Sequence, residues 1–231
     1  MRTGKRHILT CIVLLAAMAA YTQPRLRKAE MYAGVHGGVL MSTVIFQPSM
    51  RNTALHFSGN GGAVFRYNNM KYCGIQAELN YMQRGWHEKI SSTNSVTGSS
   101  GIYFRRLDYI ELPVLMHLYV GNEHWRGFLN AGPQIGYCIH DMSQGAQSKT
   151  VTAQYGRVYY PFDWGIAAGL GMYYRSSKAG VFQIEARFNY SFGDVFDHSK
   201  QAYFSQSHAM NISANIGWLW EIKKTKNRTE P

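Results

Sequence analysis

The stretch that decides the fold is Tyr109–Val120, which reads YIELPVLMHLYV. Every second residue in it is apolar and aliphatic or Met, while the residues between include a glutamate, a histidine and two tyrosines. Because successive side chains of a β-strand point to opposite faces, this period of two predicts a strand whose faces meet different surroundings. One face carries Ile110, Leu112, Val114, Met116, Leu118 and Val120, and the other carries Tyr109, Glu111, Pro113, Leu115, His117 and Tyr119.

The same alternation recurs on both sides of this stretch and predicts eight strands. Most of them are longer than a typical strand of a globular domain, which has roughly 5–6 residues. After the N-terminal segment, no run approaches the roughly 18 consecutive apolar residues of a transmembrane helix. The predicted strands cover residues 32–41, 62–68, 74–81, 109–120, 129–139, 163–174, 182–192 and 210–220.

Short and long connections take turns between these strands. The short ones fall at residues 68–71, 121–126 and 175–180, and the long ones at 42–61, 83–104, 141–158 and 193–207. In an antiparallel barrel this order places every long loop at one end, as in outer-membrane barrels with short periplasmic turns. We therefore predict an all-β fold, an eight-stranded antiparallel up-and-down transmembrane β-barrel.

The distribution of lysine indicates which face of the strands points outward. The solvated face of a soluble barrel with an apolar lumen, the alternative fold, would carry several lysines. Here every lysine lies in the N-terminal segment, a loop, a turn or a tail, and the polar face holds mainly Gly, Asn, Ser and Gln. Such small groups suit the narrow lumen of eight strands, so the apolar face is predicted to meet lipid. The lysines are Lys5, Lys28, Lys71, Lys89, Lys149, Lys178, Lys200, Lys223, Lys224 and Lys226.

Aromatic residues lie near the ends of the predicted apolar faces. Tyrosine and tryptophan concentrate at membrane–water interfaces, where one part of the ring system is apolar and the other polar. We predict that nine of these aromatics form the two interfacial girdles: Tyr81, Tyr137, Trp164, Tyr174, Phe182, Tyr190, Phe192, Trp218 and Trp220.

The N-terminus has the order of a secretory signal peptide. Arg2, Lys5 and Arg6 precede an apolar run at residues 8–20, which ends in small residues. This run is shorter than the roughly 20 residues of a membrane-spanning helix, although an uncleaved anchor is the alternative. We predict a signal peptide at residues 1–22 and one outer-membrane barrel domain at residues 23–231, with basic periplasmic tails.

Charged residues on the polar face are the only candidate site. They predict either a gated polar path or a mutually paired network that fills the lumen, and the second is favoured because an unpaired charge away from water is costly. Glu78 and Glu111, on neighbouring strands, were candidates for a carboxylate pair like that of a retaining glycosidase. The predicted lumen network comprises Arg66, Glu78, Glu111, His117, Asp163, Glu185 and Arg187.

Enzymatic chemistry has weak support. His198–Ser199 and Ser207–His208, in or beside the last long connection, are the only candidates for a lipid A-modifying site, and a nucleophile and its base must lie within hydrogen-bond reach. The nine histidines are scattered, whereas a metal site needs clustered ligands. We expect no enzyme, no catalytic residue, no cofactor and no metal.

The positive charge predicts partners at both ends of the barrel. The chain has 24 Lys+Arg against 13 Asp+Glu. At the periplasmic rim, basic tails are expected to meet anionic lipid or an acidic protein; they contain Arg25, Arg27, Lys28, Lys223, Lys224, Lys226 and Arg228. External loops are expected to pair with lipopolysaccharide phosphates through Arg84, Lys89, Arg105, Arg106, Lys149 and Arg157. Nucleic acid is not expected, because the aromatics that could stack on bases face lipid.

Several strands resemble those of PorT-family outer-membrane barrel proteins. Residues 107–117, LDYIELPVLMH, resemble that family's Tyr–Ile/Leu–Glu–Ile/Leu–Pro strand, and residues 128–137, FLNAGPQIGY, look like its next strand. Residues 163–171 and 74–81 are similar to two more, so the resemblance covers about residues 31–222. The tail after Trp220 departs from outer-membrane barrels that stop at a terminal aromatic. The resemblance implies a barrel and, for some relatives, membership of a protein-secretion apparatus.

These observations predict a monomeric barrel in the outer membrane of a Gram-negative envelope. Its expected role is structural or partner-binding, through long external loops on a rigid scaffold. The alternative is a component of a secretion or envelope assembly, and a lipid-modifying enzyme is the third possibility.

Overall fold

A computed structural model describes residues 29–47, 53–90, 101–145, 161–176, 178–193 and 206–224. Eight antiparallel strands pair in chain order, and the last pairs with the first to close a barrel. This confirms the predicted fold class. The strands are β1 (Glu30–Gln47), β2 (Thr53–Asn68), β3 (Cys73–Ile90), β4 (Gly101–Gly121), β5 (Trp125–Gly145), β6 (Phe162–Ser176), β7 (Gly180–Ser191) and β8 (Gln206–Lys224). Within these ranges, no helix is long and apolar enough to cross a membrane.

The two faces of the strands differ as the alternation predicts. In β4, Leu112 is 44% exposed and Val114 is 42% exposed, whereas Glu111 between its apolar neighbours is 1% exposed. Elsewhere the outer wall is also apolar, and buried polar side chains point inward. The barrel is therefore apolar outside and largely polar inside, as a barrel in lipid requires.

Five strands, β1 to β5, are clearly longer than predicted at the long-loop end. β3 continues to Ile90, β4 begins at Gly101 and β5 continues to Gly145, so most of the predicted loop at residues 83–104 is strand. Ladder pairing persists out to Lys89 with Ile102 and to Tyr103 with Gly145. The connection at residues 42–61 is corrected in the same way, because β1 and β2 fill most of it.

The outer wall places the nine predicted interface aromatics in two groups. All are exposed or half-buried. Phe182, on β7, and Phe192, the residue directly after β7, mark the two ends of the wall ten residues apart. That separation corresponds to roughly 25 Å along the barrel axis, the height of the apolar band of a membrane barrel. Tyr174, Phe182, Trp218 and Trp220 lie near the short turns, and Tyr81, Tyr137, Trp164, Tyr190 and Phe192 lie towards the long-loop end.

One short turn needs a glycine. Gly180, where β7 begins, has a φ of 90°, a backbone conformation that residues with a Cβ rarely adopt. The turn is fixed from outside by Trp218, whose Nε1 donates a hydrogen bond of 2.6 Å to the Ala179 carbonyl oxygen. This contact ties the end of β8 to the β6–β7 turn.

Candidate functional site

The lumen contains all seven residues of the predicted network. None is more than 6% exposed, and they come from β2 to β7. Their side chains divide into two groups centred on arginine and a third group around an arginine and a histidine. The seven are Arg66, Glu78, Glu111, His117, Asp163, Glu185 and Arg187.

Arg187, Glu78 and Glu185 form the group that we call the central cluster. Arg187 donates to both oxygens of Glu78, from Nη1 to Oε2 at 2.5 Å and from Nη2 to Oε1 at 2.7 Å. Its Nη2 also lies 2.8 Å from Glu185 Oε2. Glu185 and Arg187 are two residues apart on β7 and so share a face, while Glu78 reaches them from β3 across the lumen. The two-point Arg–Glu contact fixes the relative position of strands that are not neighbours.

Polar neighbours complete the hydrogen bonding of the central cluster. Gln76 Nε2 donates to Glu78 Oε1 at 2.5 Å, and Asn80 Nδ2 donates to Oε2 at 2.8 Å. Asn130 Nδ2 donates to Glu185 Oε1 at 3.0 Å. Every carboxylate oxygen of the cluster therefore has a donor, which offsets the cost of keeping these charges away from bulk water.

A glycine makes room for the central cluster. Gly169 faces inward from β6, and a Cβ built there would lie 2.2 Å from Glu185 Oε1. A Cβ there would force the Glu185 carboxylate to shift, so the glycine lets Glu185 keep its present contact with Arg187. The Gly-rich inner face of β6, visible in the sequence, is thus part of the site.

Arg84, Glu111 and Asp163 form the upper cluster, towards the long-loop end. Arg84 Nη1 donates to Asp163 Oδ2 at 2.6 Å, and its Nη2 contacts Glu111. Ser191 Oγ donates to the same Asp163 oxygen at 2.6 Å. The guanidinium carbon of Arg84 lies 4.6 Å from the centre of the Tyr109 ring, within the range of a cation–π contact. Among the described residues, Glu111 Oε2 and Asp163 Oδ1 have no hydrogen-bond partner.

The predicted external position of Arg84 and Arg105 is wrong. Arg84 is 3% exposed and Arg105 is 4% exposed, inside the extended parts of β3 and β4. Arg105 binds Asp141 through two hydrogen bonds of 2.9 and 2.6 Å. Both arginines therefore neutralise carboxylates of this chain and do not offer free charge to lipopolysaccharide. The even number of Arg84, which it shares with Glu78, was the available signal that it faces the lumen.

Of the other cations that were predicted to be external, the structure describes the side chain of Arg106 alone. Arg106 Nε lies 3.2 Å from Asp108 Oδ1 on the same strand. The side chain of Lys89 and the whole of Lys149 and Arg157 lie outside the described residues. So do residues 1–28, with the predicted signal peptide and first basic tail, and residues 225–231 of the second tail.

The proposed carboxylate pair of Glu78 and Glu111 is also wrong. Each carboxylate binds a different arginine, Glu78 in the central cluster and Glu111 in the upper cluster. In the β3–β4 register Glu111 stands opposite Asn80, which makes Glu78 its diagonal neighbour, so it is the two different arginines that draw the carboxylates into separate clusters. The geometry does not support acid–base chemistry between these two groups.

Arg66 and His117 occupy the lumen between the central cluster and the short turns. Arg66 donates to Gln76 Oε1 at 2.6 Å and to Gln183 Oε1 at 2.5 Å. His117 Nδ1 lies 2.7 Å from Asn130 Oδ1. A cluster of buried apolar side chains packs beside them and fills the lumen towards the short turns, formed by Tyr32, Val64, Tyr119, Phe128, Tyr173, Val181 and Leu219.

The other sequence candidates do not form a site in the described part of the chain. His198–Ser199 lies outside it, and His208 packs its ring 6.0 Å from the ring of Tyr190. No group of three His, Cys, Asp or Glu that could hold a metal ion occurs among the described residues. Together, the lumen residues fill the barrel with paired charges and, towards the short turns, with apolar side chains.

One protein family matches most of the chain. The model of the family described as outer membrane protein beta-barrel domain matches residues 22–197. No curated protein matches the sequence significantly.

Several solved outer-membrane proteins are similar to this chain at low sequence identity. OprG from Pseudomonas aeruginosa is 10% identical over 86% of this chain and 99% of that chain, with a TM-score of 0.46. Ail, the attachment invasion locus protein of Yersinia pestis, is 12% identical over 83% and 99%, with a TM-score of 0.41. The outer membrane protease OmpT from Escherichia coli is 10% identical over 87% and 98%, with a TM-score of 0.42.

Proposed function

Because the chain belongs to the family of outer membrane protein beta-barrel domains, we propose that it is a closed scaffold that binds an external partner. The observation that carries the proposal is the contrast between a filled lumen and strands that continue far beyond the outer aromatic group. The chain is located in the outer membrane, as its family is. The short-turn end then faces the periplasm and the long-loop end faces the exterior.

The filled lumen supports a role other than conduction. The central and upper clusters lie at successive levels inside the barrel, and the cluster of buried apolar side chains adds a third barrier near the short turns. Eight-stranded barrels leave an interior just wide enough for side chains, whereas porins with an aqueous channel have about 16–18 strands. The same contacts support a structural role, because they join strands across the barrel.

The extended ends of β3, β4 and β5 support partner binding. We call residues 82–90, 101–109 and 138–145 the raised wall. It continues eight or nine residues beyond Tyr81, Ile110 and Tyr137, which is roughly 20 Å along the barrel axis. Its inner side is packed, with Trp86 and Leu107 buried, while Ile102 is 55% exposed. A rigid wall with exposed apolar residues in an aqueous setting is typical of a protein-binding surface.

The two groups of outer aromatics support anchoring at the membrane interfaces. Trp218 and Trp220 pack with ring centroids 4.5 Å apart near the short turns, and Trp164 packs 5.0 Å from Phe192 at the other end. Such belts fix the vertical position of a barrel in lipid. The raised wall would then stand clear of the outer leaflet.

A PorT-like part in a secretion or envelope assembly is the second candidate. It would use the periplasmic rim, where Arg175 binds Glu30 at 2.9 Å and Glu221 at 3.0 Å, and where these charges are only half-buried. A third candidate, lipid modification, would change the mass spectrum of lipid A when the protein is present.

Photo-crosslinking in intact cells separates these candidates. A photoreactive residue at Ile102, on the raised wall, is expected to capture a protein partner. The same residue at the exposed His124, in the β4–β5 turn, tests the periplasmic rim, and one at Ile184, on the lipid-facing wall, is the matched control. Adducts from His124 alone would replace the proposal with the envelope assembly. Adducts from neither site would overturn partner binding by both surfaces.

A further inference from the structure

The outer wall has a trough across β7 and β8. Four outward-facing pairs follow one another from the short turns: Phe182 with Trp218, Ile184 with Ile216, Ala186 with Ala214, and Phe188 with Ile212. The side chains are large at the first pair, smaller at the next two and large again at the last. Side-chain size alone therefore makes a shallow depression, open to the lipid, with larger side chains at both ends.

Two connected hollows occupy this depression. One has a volume of about 570 Å³ and lies beside Phe182 and Trp218. The other has a volume of about 480 Å³ and lies over Ala186 and Ala214. Both are lined by Ile184 and Ile216, so the two hollows adjoin along the trough and share apolar walls.

We propose that this trough holds an acyl chain of one anionic phospholipid from the periplasmic leaflet. The inference rests on the proposed orientation of the barrel. Phe182 and Phe188 are six residues apart, which is roughly 20 Å along a strand and roughly 15 Å along the axis of a barrel with the usual tilt. One leaflet of a hydrocarbon core about 30 Å thick has that same depth. The trough thus begins at the periplasmic aromatics and ends near the middle of the bilayer.

Charge at the short-turn end selects the headgroup. Lys178 is exposed in the β6–β7 turn, directly beyond Phe182, and the Trp218–Ala179 hydrogen bond holds that turn beside the trough. β8 ends at Lys223 and Lys224, which pair with Met31 and Glu30 of β1. Basic groups at this level attract anionic headgroups, at about five-fold in affinity for each lysine near the surface. A phosphate there and an acyl chain in the trough describe one lipid.

Tryptophan quenching by brominated lipid tests the proposal. The protein purified from outer membranes is inserted into phosphatidylcholine vesicles that contain increasing fractions of dibrominated phosphatidylglycerol or dibrominated phosphatidylcholine. Trp125 and Trp218 line the trough and report its occupant. We expect half of the quenching at an anionic-lipid fraction about five-fold lower than for phosphatidylcholine. Equal curves for the two lipids would overturn the inference.

Matched variants locate the effect. Ala186→Leu with Ala214→Leu fills the trough and is expected to remove the preference. Ala131→Leu with Ala168→Leu adds the same bulk at another paired position on the outer wall. This control should leave the preference for the anionic lipid unchanged. Lys178→Gln should remove most of the roughly five-fold preference, while quenching at high fractions of either lipid persists because the trough is intact. A preference that survives the trough-filling pair would contradict the acyl-chain site.

Two further measurements distinguish a failure of the proposed membrane scaffold from a failure of the lipid site alone. Flotation with vesicles and heat-modifiable migration in gels show insertion of the folded barrel, whichever lipid it binds. Loss of both would mean that the proposed membrane scaffold is wrong. The barrel could also insert normally and form a crosslinked dimer that the trough-filling variant loses. That result would identify a second copy of the chain as the occupant and overturn the lipid site alone.

Discussion

The central and upper clusters have the same composition but different hydrogen bonding. Each consists of one arginine and two carboxylates, buried inside the same barrel. In the central cluster, both carboxylates receive donors on every oxygen, from Arg187 and from neighbouring amides. In the upper cluster, Glu111 and Asp163 each keep one oxygen without a partner in the described part of the chain.

This difference separates a rigid layer from one that can adjust. A buried polar network specifies one arrangement only when its members are satisfied, because each unpaired group lowers the cost of rearrangement. The central cluster joins β3 to β7 with no unpaired carboxylate oxygen, so it fixes the cross-section of the barrel. The upper cluster, at the base of the raised wall, has unused acceptors and can change partners without losing all its bonds.

The largest effect is expected from removing the arginine of the central cluster. Arg187→Leu leaves Glu78 and Glu185 buried without their cation, and breaking a buried ion pair in this way costs about 3–5 kcal/mol. The free energy of unfolding, from urea titration of the barrel refolded in phospholipid vesicles, measures it. Arg187→Leu combined with Glu78→Leu and Glu185→Gln is the control, since it removes the uncompensated charges and should recover most of the loss. A single variant as stable as the original chain would show that the cluster does not hold the strands together.

A smaller effect is expected from the same change in the upper cluster. Arg84→Leu should lower the free energy of unfolding by about 2 kcal/mol, because Ser191 still donates to Asp163 and the carboxylates have spare orientations. The Asp163 side chain is also 9% exposed, whereas those of Glu78 and Glu185 are fully buried. Measured in the same vesicles, an Arg84→Leu loss equal to that of Arg187→Leu would remove the distinction between the clusters.

The sequence predicted the faces of the residues well because strand alternation is local. The parity of Tyr109–Val120 placed Glu111 and His117 inside, and the same rule placed Arg187 and Glu185 on one face. It also indicated the eight strands, since a wall that meets lipid on one side must be apolar at every second position. These features need no information about distant parts of the chain.

Depth and partner choice could not be predicted in the same way. They depend on strand register and on the stagger of the barrel, which follow from all eight strands together. Glu78 and Glu111 are on neighbouring strands, as the sequence indicated, but Arg187 and Arg84 bind them in different clusters, and these arginines come from β7 and β3. The raised wall was missed because beyond Tyr81 neither face of β3 meets lipid: Arg84 and Trp86 point inward, Gln83 and His87 point outward, and no apolar period marks a strand there.

The smallest and sharpest test adds one methyl group beside a carboxylate of each cluster. A Cβ at Gly169 would lie 2.2 Å from Glu185 Oε1, whereas a Cβ at Gly136 would lie 3.3 Å from Glu111 Cγ. Glu185 is held by Arg187 and Asn130 and cannot withdraw without breaking those bonds, so Gly169→Ala should cost about 1–2 kcal/mol through overpacking. Glu111 has a free oxygen and needs to move only a few tenths of an ångström, so Gly136→Ala should cost less than about 0.5 kcal/mol. Urea unfolding of the two variants side by side measures the difference, and Gly127→Ala gives the baseline, because a Cβ there would make only an ordinary van der Waals contact, 3.9 Å from the Gly171 carbonyl oxygen. Equal losses at Gly169 and Gly136 would mean that the central cluster is as adjustable as the upper one, because only a carboxylate fixed on all sides resists so small an intrusion.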